Sequence, residues 1–519
     1  MSKFSRNLSL VSGLTALSRI LGLFRDILFF SFFGSSAVAA AFILAFTLPN
    51  LFRRMLGEGT LSSAFIPVYA ENLQSHGTTL ANRLLNQVLS RLGLLLLLLS
   101  FGVCLFSWLG WQTWLSDEKW MNGAYLNAIV FPYVLFICMS AVLVGALNTH
   151  RSFFAGAFSP IILNLSMIAS MIIGKWVLRA EGMELATSLC IGVVVGGLLQ
   201  LSLPWIQLRS QKGWRWKFDL RDSEQLSKIK TLFWIGALGA AVAQVNILVS
   251  RVLAYSLDDQ GALPYLFLSA RLIELPLGVF AIALSTVLFP ELARSSGLTG
   301  GKKFENYFAQ GFRLTLSVTL PAAVGLGLLA EPILSVLFEY GLFAGEDVRQ
   351  AARVLMVSVI GLPFYALSAF VVKAFHARKE MKSPLFAAVA SFVINLILCL
   401  SLMSEYGVMG LAWANVGAAV AQLVFLLLQF KGISLLHYLK PKPFFVHAGI
   451  LSSLIMGTAI FFLQASLGVE DSQIGNLWTL CLLIPSGVSI HFLSLLTFGF
   501  PEAKNAVIRI RSIFEKYFG

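Results

Sequence analysis

The sequence predicts an all-α integral membrane protein with fourteen transmembrane helices. Of its 519 residues, 57% are hydrophobic and 12% are charged, and the mean hydropathy is +0.81. A soluble chain carries about 25% charged residues. Apolar windows of about 20 residues, the length that crosses a bilayer as a helix, recur along the whole chain. This composition excludes a soluble enzyme and a disordered chain.

The predicted spans follow one another without a polar linker that would separate a soluble domain. The third span is the clearest, because it contains an unbroken run of leucines at 94–99. The spans are predicted at residues 7–33, 36–56, 86–114, 122–147, 155–178, 185–208, 230–256, 263–290, 313–338, 351–373, 384–404, 407–430, 444–466 and 475–499.

The loop charges predict the orientation. Loops on the side of both termini carry 28 of the 38 Lys and Arg residues, and the opposite loops carry four. Basic residues collect in short cytoplasmic loops, so both termini are expected in the cytoplasm. The net charge of +13 is thereby explained by topology, and no nucleic-acid partner is expected.

A shift of 231 or 232 residues brings several features into register, which predicts an internal repeat. Pro132 meets Pro363, Asn164 meets Asn395, and Ser18-Arg19 meets Ser250-Arg251. The offset equals six spans, so the copies share one orientation. We therefore expect two pseudo-symmetric six-helix lobes plus two C-terminal helices. The predicted domains are residues 1–228 (spans 1–6 and a basic loop), 229–432 (spans 7–12) and 433–519 (spans 13 and 14 and the tail).

Ionised residues inside spans predict a polar cavity. An arginine at mid-bilayer costs about 2.5–3.5 kcal/mol on insertion scales, so it should face water or a partner. Arg19 lies within the first span, on the same helical face as Asp26, and Arg271 precedes Glu274 by one turn. The alternative interpretation is that Arg19–Asp26 and Arg271–Glu274 are structural ion pairs. Three further arginines near span ends could snorkel to the interface: Arg91, Arg251 and Arg353.

The second span ends in a stretch that predicts a bend beside charged groups. Pro49 removes a backbone hydrogen bond, and Asn50, Arg53 and Glu58 follow it closely. Arginine binds phosphate oxygens two at a time and stays charged at any relevant pH. Several arginines around one cavity therefore predict an anionic, phosphorylated substrate.

Several stretches resemble the MurJ (MviN) family of lipid II flippases, in the superfamily of multidrug, oligosaccharidyl-lipid and polysaccharide exporters. The resemblance runs from about residue 8 to residue 430. The matching stretches are SRILGLFRD at 18–26, LPNLFRR at 48–54, GEGT at 57–60, AFIP at 64–67, RLIELP at 271–276 and LFEYGLF at 337–343.

The resemblance implies a flippase that moves undecaprenyl-pyrophosphate-linked peptidoglycan precursor across the bacterial inner membrane by alternating access. The arginines implied to bind the headgroup are Arg19, Arg25, Arg53 and Arg271. The resemblance also implies that Asp26 and Glu274 hold those arginines when the cavity is empty. The further candidates for supporting the cavity or its hinges, taken from the sequence itself, are Pro49, Asn50, Glu58 and Pro276. A sodium-site aspartate of some members falls at Ser250, so membrane potential is the expected driving force. We expect a monomer that works beside other cell-wall synthesis proteins.

Two alternatives from other functional classes remain. A drug or cation exporter of the same superfamily would need acidic residues in the spans, and those present lie beside arginines. A membrane enzyme acting on a polyprenyl-phosphate lipid would need clustered carboxylates or histidines, and the sequence has no HExxH, CxxC or P-loop motif. We therefore expect no catalytic residues, no metal and no cofactor.

Overall fold

The computed structural model describes residues 3–57, 60–278, 282–296, 301–430, 445–467 and 472–508. These residues form α-helices joined by short connections, and no strand occurs among them. The predicted all-α fold is confirmed. The chain divides into two compact units, Met1–Ser256 with Tyr340–Phe343, and Leu257–Glu339 with Ala344–Gly519.

The first unit contains eight α-helices. Three short π-helical turns, Arg53–Gly57, Gly110–Trp114 and Ile173–Val177, extend or follow helix ends. The helices are α1 (Lys3–Phe33), α2 (Ala37–Phe52), α3 (Thr60–Leu109), α4 (Glu118–Val130), α5 (Tyr133–Thr149), α6 (Phe154–Ile172), α7 (Gly182–Lys212) and α8 (Glu224–Ser256).

The second unit contains the remaining α-helices of the described chain. Its core includes an aromatic cluster in which the guanidinium of Arg378 lies over the rings of Phe304 and Phe430, 4.3 and 4.4 Å from their centroids. The helices are α9 (Ala262–Pro276), α10 (Ile282–Ser295), α11 (Gly301–Leu328), α12 (Ala330–Phe338), α13 (Gly345–Ser358), α14 (Leu362–Ala377), α15 (Lys382–Gln429), α16 (Val446–Leu467) and α17 (Gln473–Thr497).

In the described parts of the chain, ten helical stretches are long and apolar enough to cross a membrane. They coincide with eleven of the predicted spans, because Lys382–Gln429 contains both 384–404 and 407–430, separated at Gly407, whose φ is +53°. The first and seventh predicted spans, and most of the described part of the eighth, are helical but are not among the ten. Each of these three spans carries ionised residues singled out above. The count of fourteen stays a prediction.

The repeat register predicted from sequence corresponds to similar local features in the two units. A break at Phe131 and Pro132 separates α4 from α5, and a 3-10 turn at Val359–Gly361, directly before Pro363, separates α13 from α14. Asn164 of α6 and Asn395 of α15 are both buried. Helix α8, the first of the predicted second lobe, packs against α2 and α3 within the first unit. The lobe boundaries themselves stay a prediction.

Candidate functional site

The most buried ionised residues of the candidate site lie on α1. The side chains of Arg25 and Asp26 are 11% and 6% exposed. Arg25 donates from Nε and Nη2 to Oδ1 of Asp26, at 3.0 and 2.5 Å. The alternative interpretation from the sequence paired Asp26 with Arg19. In the structure, Asp26 pairs with Arg25, its neighbour in the sequence.

Asn164 of α6 completes the environment of Arg25. Its Oδ1 accepts a hydrogen bond from Arg25 Nη1 at 3.0 Å, and its Nδ2 donates to the backbone oxygen of Ser18 at 3.1 Å. The Sδ atom of Met167, one turn further along α6, lies 3.8 Å from the same Nη1. The amide therefore ties α1 to α6 through both of its polar atoms. Sequence reasoning noted Asn164 only as a repeat match.

The end of α2 presents a row of polar groups. Pro49 is buried inside the helix, which continues to Phe52 and then widens into the π-helical turn at Arg53–Gly57. Asn50 donates from Nδ2 to the backbone oxygen of Phe46 at 3.2 Å and accepts from Arg53 Nε at 3.2 Å. The carboxamide thereby orients a half-buried guanidinium at the point where helical geometry changes.

Arg251, one of the arginines that the sequence suggested could snorkel, contacts α2 beside the candidate site. Its Nη1 donates to Thr47 Oγ1 at 2.6 Å, and that hydroxyl donates in turn to the backbone oxygen of Ile43. The residue is half-buried between α8 and α2 and does not simply snorkel from a span end. The repeat match between Arg19 and Arg251 was the signal that could have identified it.

The arginines of the first unit lie at different distances from the turn between α1 and α2. Three residues, 34–36, join the two helices. At 1.5 Å per residue, Arg25 lies about 12 Å from that turn and Thr47, which holds Arg251, about 15 Å. Arg19, which is exposed, and Arg53 lie about 21 and 24 Å from it. Arg25 and the contact between Arg251 and Thr47 are therefore nearer to this turn than Arg19 and Arg53.

In the second unit, Arg271 and Glu274 lie on one face of α9. Nη1 of Arg271 is 3.4 Å from Oε2 of Glu274, and the two side chains are 38% and 48% exposed. The helix ends at Pro276, and Leu277 caps it. This pair forms as expected from the spacing of three residues, but it is long and accessible.

The remaining predicted residue, Glu58, lies outside the described residues. Arg91 donates to Asp222 and to the backbone of Leu220, and Arg353 is exposed on α13. Within the described ranges, no group of three or more His, Cys, Asp or Glu side chains could hold a metal ion. The chemistry that the arginines offer at the candidate site is binding of anions.

A family model described as "Lipid II flippase MurJ" matches residues 29–473. This chain belongs to the MurJ lipid II flippase family. The probable lipid II flippase MurJ of Rhizobium meliloti (strain 1021) is 31% identical over 516 residues, covering 96% of this chain and 94% of that protein. The one from Haemophilus influenzae is 31% identical over 472 residues, with 86% and 90% covered.

Solved structures agree with membership of the MurJ family. A lipid II flippase MurJ in an inward closed conformation matches with a TM-score of 0.78 and 28% identity, covering 96% of this chain and 99% of that one. An inward-facing multidrug resistance MATE transporter matches with a TM-score of 0.64 and 14% identity, covering 80% and 96%. The second likeness concerns the fold alone. Membership identifies the chain as a multi-pass protein of the bacterial inner membrane.

Proposed function

We propose that this chain transports lipid II, the lipid-linked precursor of peptidoglycan, from the cytoplasmic to the outer face of the membrane by alternating access. The pyrophosphate of the headgroup binds to Arg19, Arg25 and Arg53 of the first unit and Arg271 of the second unit during its passage. The observation that carries this proposal is the state of Arg271. Its guanidinium is 38% exposed on α9 and lies 3.4 Å from the Glu274 carboxylate, a long contact for an ion pair.

An exposed ion pair at 3.4 Å is easily exchanged for a better partner. Such pairs contribute about 0–1 kcal/mol, because water competes for both charges. A pyrophosphate offers several oxygens to one guanidinium, and bidentate charge-assisted bonds are stronger than a single long contact. Glu274 then acts as a placeholder that keeps Arg271 oriented until the headgroup arrives.

Arg25 requires a different role within the same proposal. All the contacts described above, to Asp26 and Asn164, must loosen before this guanidinium binds phosphate. A buried pair loosens only when another anion replaces the carboxylate, since an uncompensated buried charge costs several kcal/mol. Arg25 therefore engages the headgroup late, after Arg19 and Arg53 have brought the phosphate to the first unit.

The family and the charge distribution support further parts of the proposal. The excess of basic residues in the loops on the side of both termini supports a cytoplasmic location for both ends. The lipid leaves chemically unchanged, so the chain acts as a transporter without catalysis. It functions as a monomer, alongside the other proteins of cell-wall synthesis, and membrane potential drives the cycle.

The test is translocation in proteoliposomes containing lipid II with a fluorophore on its peptide. An impermeant quencher reports the fraction on each face, and Arg271→Ala is compared with Arg349→Ala. Arg349 is an exposed arginine that also pairs with an acid three residues away, so it matches the charge change. We expect loss of translocation only in Arg271→Ala. Equal activity of the two variants, or a chemically altered lipid, would refute the proposal.

The same vesicles distinguish the main rival function. A drug exporter of the same superfamily would move cationic dyes and leave lipid II in place. Acids described at the site, Asp26 and Glu274, each contact an arginine, which disfavours binding of a second cation. We therefore expect lipid II transport without dye efflux from wild-type vesicles.

A further inference from the structure

The connection between α7 and α8 is attached along α3 in an unusual way. Residues 213–223, which we name the strap, contain no helix. The strap alternates large apolar residues with polar ones, in the order Trp214, Arg215, Trp216, Lys217, Phe218, Asp219, Leu220 and Arg221. It belongs entirely to the first unit.

Polar side chains of α3 hold the backbone of the strap. Asn86 accepts from Nε1 of the buried Trp214 at 3.0 Å and donates to the backbone oxygen of Arg215 at 3.3 Å. The backbone amide of Asp219 donates to Ser90 Oγ at 3.0 Å. Asn86 and Ser90, one turn apart on α3, thus hold the strap in place.

Charged groups secure the far end of the strap. Arg91 donates to the backbone oxygen of Leu220 and to Oδ1 of Asp222. Asp219 accepts two side-chain hydrogen bonds from Arg221, and these hold the pKa of its carboxyl well below its usual range. Since a depressed pKa keeps the carboxylate charged down to strongly acidic pH, this pair within the strap persists at neutral pH.

Several side chains of the strap that do not attach it to α3 are exposed. Trp216, Phe218 and Leu220 are 43%, 59% and 43% exposed, and the basic side chains of Arg215 and Lys217 are exposed between them. Trp216 lies between Trp205 of α7 and Phe218, with ring centroids 6.2 and 6.3 Å away and the rings inclined at 45° and 68°. Three large apolar side chains exposed outside the core indicate a partner that buries them.

The position of the strap identifies that partner. Its last contact with α3 is at Arg91, about 4.5 Å of helix before Leu94, where a run of exposed apolar residues begins. That run includes Leu95, Leu98 and Phe101, each more than 60% exposed, which marks a surface that faces lipid. The strap therefore lies at the level where acyl chains give way to headgroups. Tryptophan and basic residues are enriched at this level in membrane proteins.

We propose that the strap is an interfacial anchor for anionic phospholipid, with Trp216, Phe218 and Leu220 among the upper acyl chains and Arg215 and Lys217 on the headgroup phosphates. The basic charge complements an anionic leaflet, and the apolar surface continues that of α3. A protein partner would also accept aromatic and basic side chains, but it would not explain why the strap is fixed at the level of the leucine run.

The first test measures the depth of Trp216 in the full-length chain. Emission of the wild type minus that of Trp216→Phe isolates one of the 11 tryptophans in nanodiscs that contain phosphatidylglycerol. We expect quenching of this component by lipid brominated near the headgroup and protection from aqueous iodide. Quenching by iodide and not by brominated lipid places the strap in water, which overturns the proposal and leaves a protein partner as the occupant.

The second test measures recognition of the headgroup. Arg215→Gln/Lys217→Gln is compared with Arg209→Gln/Lys228→Gln, which removes the same charge from exposed positions outside the strap. Each basic residue at an anionic surface contributes about 1 kcal/mol, which corresponds to about fivefold in binding. We expect enrichment of phosphatidylglycerol over phosphatidylcholine around the protein to fall by roughly 20-fold in the strap variant and far less in the control. Equal losses in both variants overturn the proposal.

Discussion

Two arginine–carboxylate pairs, one in each unit, differ in burial, although both lie in stretches that resemble the MurJ family. In the first unit Arg25 and Asp26 are almost fully buried and meet at 2.5 Å, and Asn164 holds the remaining side of the guanidinium. In the second unit Arg271 and Glu274 meet at 3.4 Å and are both accessible. The first pair is part of the packing between α1 and α6, and the second lies on the surface of α9.

The difference in burial determines what each pair can do. Removing one member of a buried pair leaves an uncompensated charge and costs about 3–5 kcal/mol, whereas an exposed pair contributes about 0–1 kcal/mol. The Arg25 pair is therefore a structural element whose arginine becomes available only by exchange. The Arg271 pair can open at little cost. We therefore expect the substrate to be captured at the Arg271 pair, and the conformational change to depend on opening of the Arg25 pair.

The largest expected effect comes from Asp26→Asn. The change keeps the size of the side chain but leaves Arg25 charged and without its carboxylate inside the first unit. We expect the free energy of unfolding to fall by about 3–5 kcal/mol. Denaturant titration of the solubilised protein measures it. A loss below about 1 kcal/mol would mean that the Arg25 pair is no more structural than the exposed one.

Asn164→Leu tests the third member of the buried cluster. The substitution removes the acceptor for Arg25 Nη1 and the donor to Ser18, and a hydrogen bond to a charged group contributes about 1.5–3 kcal/mol. The matched control is Asn395→Leu, at the repeat-related position, where the amide oxygen accepts from the thiol of Cys399. We expect Asn164→Leu to destabilise the protein more. The reverse order would contradict the assignment.

Arg271→Ala should separate binding from stability. Loss of a charge-assisted contact of about 1.5–3 kcal/mol corresponds to a roughly 10- to 150-fold lower affinity for lipid II. Thermal unfolding should change little, because the pair is exposed. Arg271→Lys keeps the charge but not the fork, and an intermediate affinity is expected. Unfolding of the alanine variant at markedly lower temperature would assign Arg271 a structural role.

Glu274→Gln is expected to have the smallest effect, and with the opposite sign. Removing the placeholder carboxylate ends its competition with the headgroup for Arg271, so affinity for lipid II should rise by up to about fivefold while stability changes by less than about 1 kcal/mol. Titration of the variant beside the wild type measures this. A fall in affinity would mean that Glu274 contacts the headgroup itself.

Much of the fold follows from the sequence because hydropathy alone selects helices in a bilayer. The boundary between two predicted spans falls at Gly407, and the break at Pro132 falls where proline removes a backbone donor. Spans that contain ionised residues are harder to recognise, because each arginine kept for function lowers the mean hydropathy of its span.

The site was predicted less completely than the fold. Helix-face spacing paired Asp26 with Arg19, but the flexible stem of Arg25 lets it reach its sequence neighbour. The contact between Arg251 and Thr47 joins α8 to α2 across about 200 residues, so no local pattern reveals it.

The most direct measurement compares binding of lipid II with binding of undecaprenol, which has the same tail and no phosphate. Affinities for both are measured for the wild type and for Arg271→Ala in nanodiscs of one composition. The account predicts that the substitution lowers affinity for lipid II at least tenfold and leaves affinity for undecaprenol unchanged. Equal losses for both ligands, or none for lipid II, would contradict recognition of the pyrophosphate by this arginine.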